Sequence, residues 1–434
     1  EASESGGTLH VNSEKAAIEL PKLLRQPVEL DALTAHIRWE RIATETEIRL
    51  NSVSFSNAHA AGTMFGKYRT REGSRGFIDI TGRLTRADAR FVPRYIPITF
   101  LKGTRDWLDT AFIDGQSTYV SLRLKGELDQ FPFPEGRGGI FQITAKVTGG
   151  KLNYAEGWPQ IEDIAGDVIF RGKRMDVNAR QGTIFGVALE RVRVEIPDLV
   201  VNDEQLRVAG AAKGPTAEFL AFIDKSPVNE IIGRFTEGWT ADGRGALELK
   251  MQMPLRALNK SKIGGVFQFD GNTIRVHRDV PPVKQARGKV EFTEASVSAR
   301  DLRGVALGGP ISISSASEGG GAVQINVKGR IDTDRMQDLE KQPVWVQHVR
   351  GSTDWRAAIT VRDRKADIDV RSNLEGMAVY LPPPLLKPSA ESWPTRFEQR
   401  PGDAGQEHFA LSVGDIVSAK LVRKDRKSTR LNSS

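Results

Sequence analysis

The feature that most constrains this chain is an alternation of apolar and polar residues in short segments punctuated by glycine. Ser121-Leu122-Arg123-Leu124 shows it, as do residues 246–253, 273–276, 322–327 and 366–370, each with an apolar side chain at every second position. Side chains of a strand point alternately to opposite faces, so each segment acquires one greasy and one wet face. Strands of a parallel sheet covered on both sides read as unbroken apolar runs instead. The pattern therefore predicts a mainly β fold with a few short helices, built from antiparallel strands. Gly149-Gly150, Asp270-Gly271-Asn272 and Glu318-Gly319-Gly320-Gly321 are the clearest expected loops.

The segments recur. Residues 33–39, 164–170 and 286–292 align without gaps, and each ends in an apolar-x-aromatic pair: Ile37 and Trp39, Val168 and Phe170, Val290 and Phe292. A second series centres on Gly82, Gly210 and Gly329 in the same register. Each of its copies leads into a stretch read as helical, over 85–112, 216–236 and 333–339. Prolines 97, 227 and 343 follow, then a glycine-led strand at Gly115, Gly243 and Gly351. Gly139-Ile140-Phe141-Gln142-Ile143 and Gly265-Val266-Phe267-Gln268-Phe269 complete the unit. The expected organisation is the end of a first repeat over 1–80, a second over 81–208, a third over 209–328 and a partial fourth over 329–424. Repeats of this kind stack on their neighbours, which predicts an elongated body. Residues 425–434 have no apolar period, read as the translation of a sequencing adapter, and are set apart from the fold.

Composition narrows the chemistry. At 434 residues the chain exceeds what one compact core holds. It has no cysteine, which excludes thiolate metal sites, iron–sulfur clusters, thiol nucleophiles and disulfides. The net charge of +7 is dispersed: Arg362-Asp363-Arg364-Lys365 is followed by Asp367 and Asp369, and no basic block forms. The aromatic residues lie within apolar strand faces instead of alternating with cations as stacking platforms, so no nucleic-acid partner is expected. No run reaches the roughly 20 apolar residues of a membrane-spanning helix. Residues 1–4 have no signal-peptide layout and no initiator methionine, and the chain reads as an internal fragment.

No catalytic or cofactor motif emerges. His10, His36, His59, His277, His348 and His408 show no ligand spacing, and His36 and His277 read as outward, solvated strand residues. Gly149-Gly150-Lys151-Leu152 lacks the remaining residues of a phosphate loop, and Gly73-Ser74-Arg75-Gly76 reads as a hairpin turn, not a nucleophile elbow. Glu162-Asp163 and the pair Asp332 and Asp334 sit beside turns or a helix start, where acidic residues serve as caps. No metal, no cofactor and no enzymatic activity are expected. What remains is the apolar face itself. It is either the core of closed sandwiches, as in a structural or adhesive envelope protein, or an open trough that something apolar must occupy.

Residues 374–387, Leu-Glu-Gly-Met-Ala-Val-Tyr-Leu-Pro-Pro-Pro-Leu-Leu-Lys, resemble a strand and Leu-Pro-x-Pro-Leu-x-Lys turn typical of the YhdP branch of AsmA-like proteins. The stretch 323–339, Trp158-Pro159 and Val280-Pro281-Pro282 are similar to the same family. Leu385-Leu386 stands where Leu-Gly is commoner. The resemblance implies a bridge-like lipid transporter of the Gram-negative envelope. Its strongly curved periplasmic β-groove would move phospholipid from inner to outer membrane and support the outer-membrane permeability barrier. It also implies an inner-membrane helix before this segment, and outer-membrane or envelope proteins meeting a more distal end. The positions expected to line such a groove are Ile37, Trp39, Leu122, Leu124, Phe141, Ile143, Val168, Phe170, Leu247, Leu249, Met251, Phe267, Phe269, Val290, Phe292, Val323, Ile325 and Val327. A β-bulge would reverse this assignment downstream, and 187–196 shows such a change of phase between Leu189 and Val192.

Overall fold

The computed structural model describes every residue except 1, 4, 99–101, 233, 277–279, 295, 319–321, 337–343, 363–364, 403–405 and 425–434. His277, Pro343, Gly319 to Gly321 and the adapter-like tail lie outside the described residues. The fold is mainly β with a few short helices. The chain divides into two compact units, Glu1–Ala212 with Leu249–Lys262, and Lys213–Glu248 with Ile263–Ser434.

In the first unit each long strand pairs antiparallel with the next in the chain. The series is Gly6–Ser13, Ala32–Ile42, Glu45–Ser56, Ala60–Arg71, Ser74–Asp88, Phe112–Glu127, Gly139–Leu152, Ile161–Arg171, Arg174–Ile184 and Val187–Ile196. Among the described residues its first and last strands do not pair with one another, so this is an open sheet and not a barrel. The second unit is built the same way, from Lys262–Arg275, Val283–Thr293, Val297–Ala306, Gly309–Glu318, Ala322–Asp332, Val349–Arg362, Lys365–Ser372, Thr395–Pro401 and Gln406–Val413 to Val417–Lys424.

Register aligns the alternation of neighbouring strands. One cross-strand row of the first unit runs Val11, Ala35, Val53, Met64, Gly82, Leu122, Ile143, Phe170, Met175, Ile196. The opposite face is charged. Glu47 there receives Arg49 at 2.6 Å, Arg69 at 2.8 Å and Lys67 at 3.5 Å. Arg71 bridges Glu45 and Glu127, and Arg123 meets Asp79 at 2.5 Å. In the second unit Asp369 joins Arg371 at 2.7 Å and Arg396 at 2.5 Å.

Two expected loops turn out to be bulges inside continuous strands. Gly149-Gly150 lies within Gly139–Leu152 and Asp270-Gly271-Asn272 within Lys262–Arg275. Gly149 and Gly271 take φ of 59° and 79°, and the ladder slips by a residue beside each. An extra left-handed residue bends a strand without ending it. Asp163, Gln285 and Asp301, at φ 53°, 53° and 54°, do the same on neighbouring strands, and Arg191 at φ 51° accounts for the phase change between Leu189 and Val192. Asn272 is fully buried because its side chain serves the bulge: Nδ2 donates to Thr216 Oγ1 and to the carbonyls of Asp242 and Arg244, and Oδ1 accepts from Asp270 N.

The first two expected helical stretches are shorter than read. Strand Ser74–Asp88 persists to Asp88, whose carboxylate caps the 3-10 turn Ala89–Tyr95 before helix Lys102–Ala111. Residues 216–236 hold Thr216–Asp224 and Val228–Ile231; of 333–339 the described part is the helix Thr333–Met336, and 337–339 lie outside the described residues. The glycine that follows each recurs with a purpose. Gly115, Gly243 and Gly351 have φ of 144°, 89° and 102°. A Cβ would sit 3.3 Å from the Gly150 α-carbon, 3.2 Å from the Asn272 α-carbon and 2.3 Å from Gly376 O, respectively, so the backbones approach as only glycine allows.

The Glu47 carboxyl is held down at about 2 by its hydrogen bonds to Arg69 and Arg49, against the opposing effect of burial. A lowered folded pKa adds stability above the unfolded value of about 4.3, and that stability is lost as pH falls through the folded one. Glu47→Gln should therefore lower stability at pH 7 by about 1–3 kcal/mol in urea titrations and flatten the acid limb between about pH 4.5 and 2. Gln285→Gly should be neutral or stabilising by up to about 1 kcal/mol, whereas Gln285→Val should destabilise, because β-branched residues resist left-handed backbone.

Candidate functional site: the apolar sheet face

The expected lining positions fall on shared rows. Leu9, Ile37, Leu50, Gly66, Ile80, Leu124 and Phe141 form one, and Trp39 continues into Ile48, Tyr68 and Ile78 in another. Leu122, Ile143 and Phe170 share the row described above, and Val168 sits between Ala145 and Val177. In the second unit Phe267 and Val290 join Ala299, Ser315, Ile325, Ile359 and Ile368. Val323 faces Val361, and Phe292 sits between Gly265 and Val297. Phe269 lies opposite Gly288, while Leu247, Leu249 and Met251 alternate along Arg244–Pro254.

Burial separates these rows from an ordinary core. Seventeen of the eighteen are half-buried, neither sealed by protein nor fully in water. Val327 is the exception at 8% exposure. It packs with Ile311 and Ala357 in a small closed cluster, flanked by Trp355, Val283 and Val370. Within each unit most of the apolar face thus has sheet behind it and no second sheet over it among the described residues.

Short segments fold onto the margins of the face. Phe133 is 1% exposed and lies over Gly126 and Gly139, where a Cβ would sit 2.7 and 2.6 Å from its ring. Phe131 reaches Phe141 with centroids 5.0 Å apart. In the second unit Phe219, on helix Thr216–Asp224, meets Phe267 edge-on at 5.1 Å, and Phe267 meets Phe269 at 4.8 Å. The Phe267 and Phe292 rings lie across Gly245 and Gly265, whose missing side chains leave space for them. Aromatic edges and glycine floors give a surface that is apolar yet shallow.

The acidic pairs are structural. Glu162 bonds Lys151 at 2.6 Å, Asp163 is a bulge residue, and Asp332 caps the turn holding Asp334 and Arg335. No group of three or more His, Asp or Glu could hold a metal ion among the described residues, and no described helix is long and apolar enough to cross a membrane.

The proline motif contains a residue whose place its sequence does not reveal. Lys387 is 1% exposed; Nζ donates to the carbonyls of Met377 at 2.9 Å and Pro388 at 3.0 Å and lies 6.0 Å from the Trp393 ring. The backbone of Lys387 pairs with Val379, so the turn closes on strand Met377–Val379. Burial lowers the ammonium pKa, opposed by Glu391 and Glu375. The motif is thus a pinned turn beside the sheet.

Each unit thus presents an open antiparallel sheet with an apolar face and an ion-paired reverse. The chain belongs to the YhdP protein family, which it matches over residues 1–434. It is 21% identical over 400 residues, 90% of its own length, to the intermembrane phospholipid transporter YhdP of Escherichia coli (strain K12), of which it spans 31%. No solved structure matches it.

Lys387→Ala would leave two carbonyls without their donor and empty the space of the stem. It should cost about 2–4 kcal/mol in chemical denaturation, with Lys387→Met recovering the packing part of that loss.

Proposed function

We propose that the apolar face carries the acyl chains of phospholipids, and that this chain is a periplasmic segment of a non-enzymatic transporter linking the inner and outer membranes. The observation that carries the reading is the half-burial of successive apolar rows in register. Such a surface is costly in water and is relieved by any ligand that needs only a continuous dry wall. Acyl chains ask for no hydrogen bonds, and each CH₂ kept from water contributes about 0.8 kcal/mol. Dimensions agree. From Leu33 to Trp39 the apolar band runs six residues along the strand, about 20 Å, comparable with the roughly 15 Å of one leaflet's hydrocarbon.

Head groups would stay in water at the margins while tails pass from one row to the next. The name of the E. coli relative, a phospholipid transporter between membranes, supports the same substrate. Attachment to the inner membrane by a helix outside this segment, contacts with outer-membrane or envelope proteins and a role in the outer-membrane permeability barrier belong to the same proposal. Closed sandwich repeats of an adhesive protein would bury these rows throughout, whereas seventeen of the eighteen expected positions are half-buried, which favours the open face.

Mass spectrometry of the purified protein should find co-purified phospholipid. A photo-crosslinking side chain in place of Leu122 should capture it, and one in place of Arg123, on the opposite face, should not. Ile143→Asp should reduce bound lipid at least tenfold with circular dichroism unchanged, whereas Val327→Asp should unfold its unit. Equal crosslinking from both faces, or lipid-free protein, would refute the reading.

A further inference from the structure

Strand register brings together two side chains that lie far apart in sequence. His10 and His36 stand directly opposite one another on Gly6–Ser13 and Ala32–Ile42, on the face away from Leu9 and Ile37. Their Nε2 atoms are 2.7 Å apart and their ring centroids 3.7 Å. His10 is exposed and His36 half-buried, so both are reachable from solvent. Contact between two imidazole nitrogens requires that one ring donate a proton and the other accept it. The centroid spacing places the two rings side by side, and a rotation of each about its Cβ–Cγ bond would bring both Nε2 atoms to bear on one point.

We propose that His10 and His36 form a cross-strand chelate for a late first-row divalent cation, with copper(II) preferred to zinc. The cation would take the place of the shared proton, which passes through solvent to Nδ1 of the ring that held it, leaving both Nε2 lone pairs for the metal. Two metal–nitrogen bonds of about 2.0 Å at a right angle separate the nitrogens by about 2.8 Å, close to the spacing the strands already hold. Tetrahedral zinc would need about 3.3 Å, wider than the spacing the strands hold. The intrinsic order of divalent affinities favours copper in the same sense. Asn12 and Thr34 form the next cross-strand pair, and Ser52 faces His36 from the other side. Their oxygens and water complete the coordination, since no third His, Asp or Glu is in position among the described residues. Arg38, two residues beyond His36 on the same face, opposes a cation, so the chelate is a loading site of moderate affinity and not a closed structural centre. Its occupancy would fasten the first two strands of this unit together.

Copper(II) chloride titrated into the purified protein should bind one equivalent, with an electron paramagnetic resonance spectrum split by two equivalent nitrogens, and should raise Tm. His10→Asn and His36→Asn should each weaken copper at least tenfold and abolish the two-nitrogen splitting, while His59→Asn and His408→Asn leave both unchanged. Substoichiometric copper should broaden the imidazole proton resonances of His10 and His36 before any other, a readout that needs no variant. Wild-type affinity and splitting in either of the first two variants, earliest broadening elsewhere, or zinc binding more tightly than copper would overturn the proposal.

Discussion

Everything in this protein depends on cross-strand alignment of apolar side chains on one face of a sheet that, among the described residues, has no sheet opposing it. Each row is continuous because every strand is paired in register with the strand before it, as Leu122 is with Ile143 and Ile143 with Phe170. Each side chain therefore buries part of its surface against its row neighbours and leaves the rest available. A sandwich would use the same alternation to seal that surface. The difference lies in the cover over that face, whose expected lining positions stay half-buried save Val327, while Glu47, Asp176, Asp369 and their arginines form ion-paired clusters on the reverse. Those clusters mark which side of the sheet belongs to water.

The strands and the two faces were legible in the sequence because a period of two has one structural meaning when glycines bound it. That is why Ile37, Leu124 and Phe141 could be assigned together from segments distant in the chain. Bulges were less legible. Arg191 betrayed itself by the misplaced phase of Val192, but Asp163, Gln285 and Asp301 adopt left-handed backbone with no glycine to announce it. Asp270-Gly271-Asn272 read as a loop because its composition suits a turn; burial of the Asn272 amide among three acceptors turned it into a kink within a strand. Strand Ser74–Asp88 outran its expected end because pairing with Phe112–Glu127 continues as far as Asp88.

Two further features escaped sequence reading for the same reason, that partners are chosen by register and fold, not by spacing. His10 and His36 are neighbours only because their strands align at that position. Lys387 ends a proline-rich motif, and nothing in that motif marks its charge as enclosed. Its ammonium is enclosed between carbonyls, and the turn is built around that contact. Val327 obeys the alternation as well as Ile325 does, yet it falls in the closed cluster, since alternation reports a face and not how deeply that face is covered.

The order of pairing has one more consequence. Within each unit nearly every long strand is joined to the next long strand in the chain, many of them through tight hairpins such as Ile42 to Glu45 and Arg171 to Arg174, so much of the pairing is local. Each hairpin can be templated by an edge already in place, so the sheet can grow strand by strand in chain order.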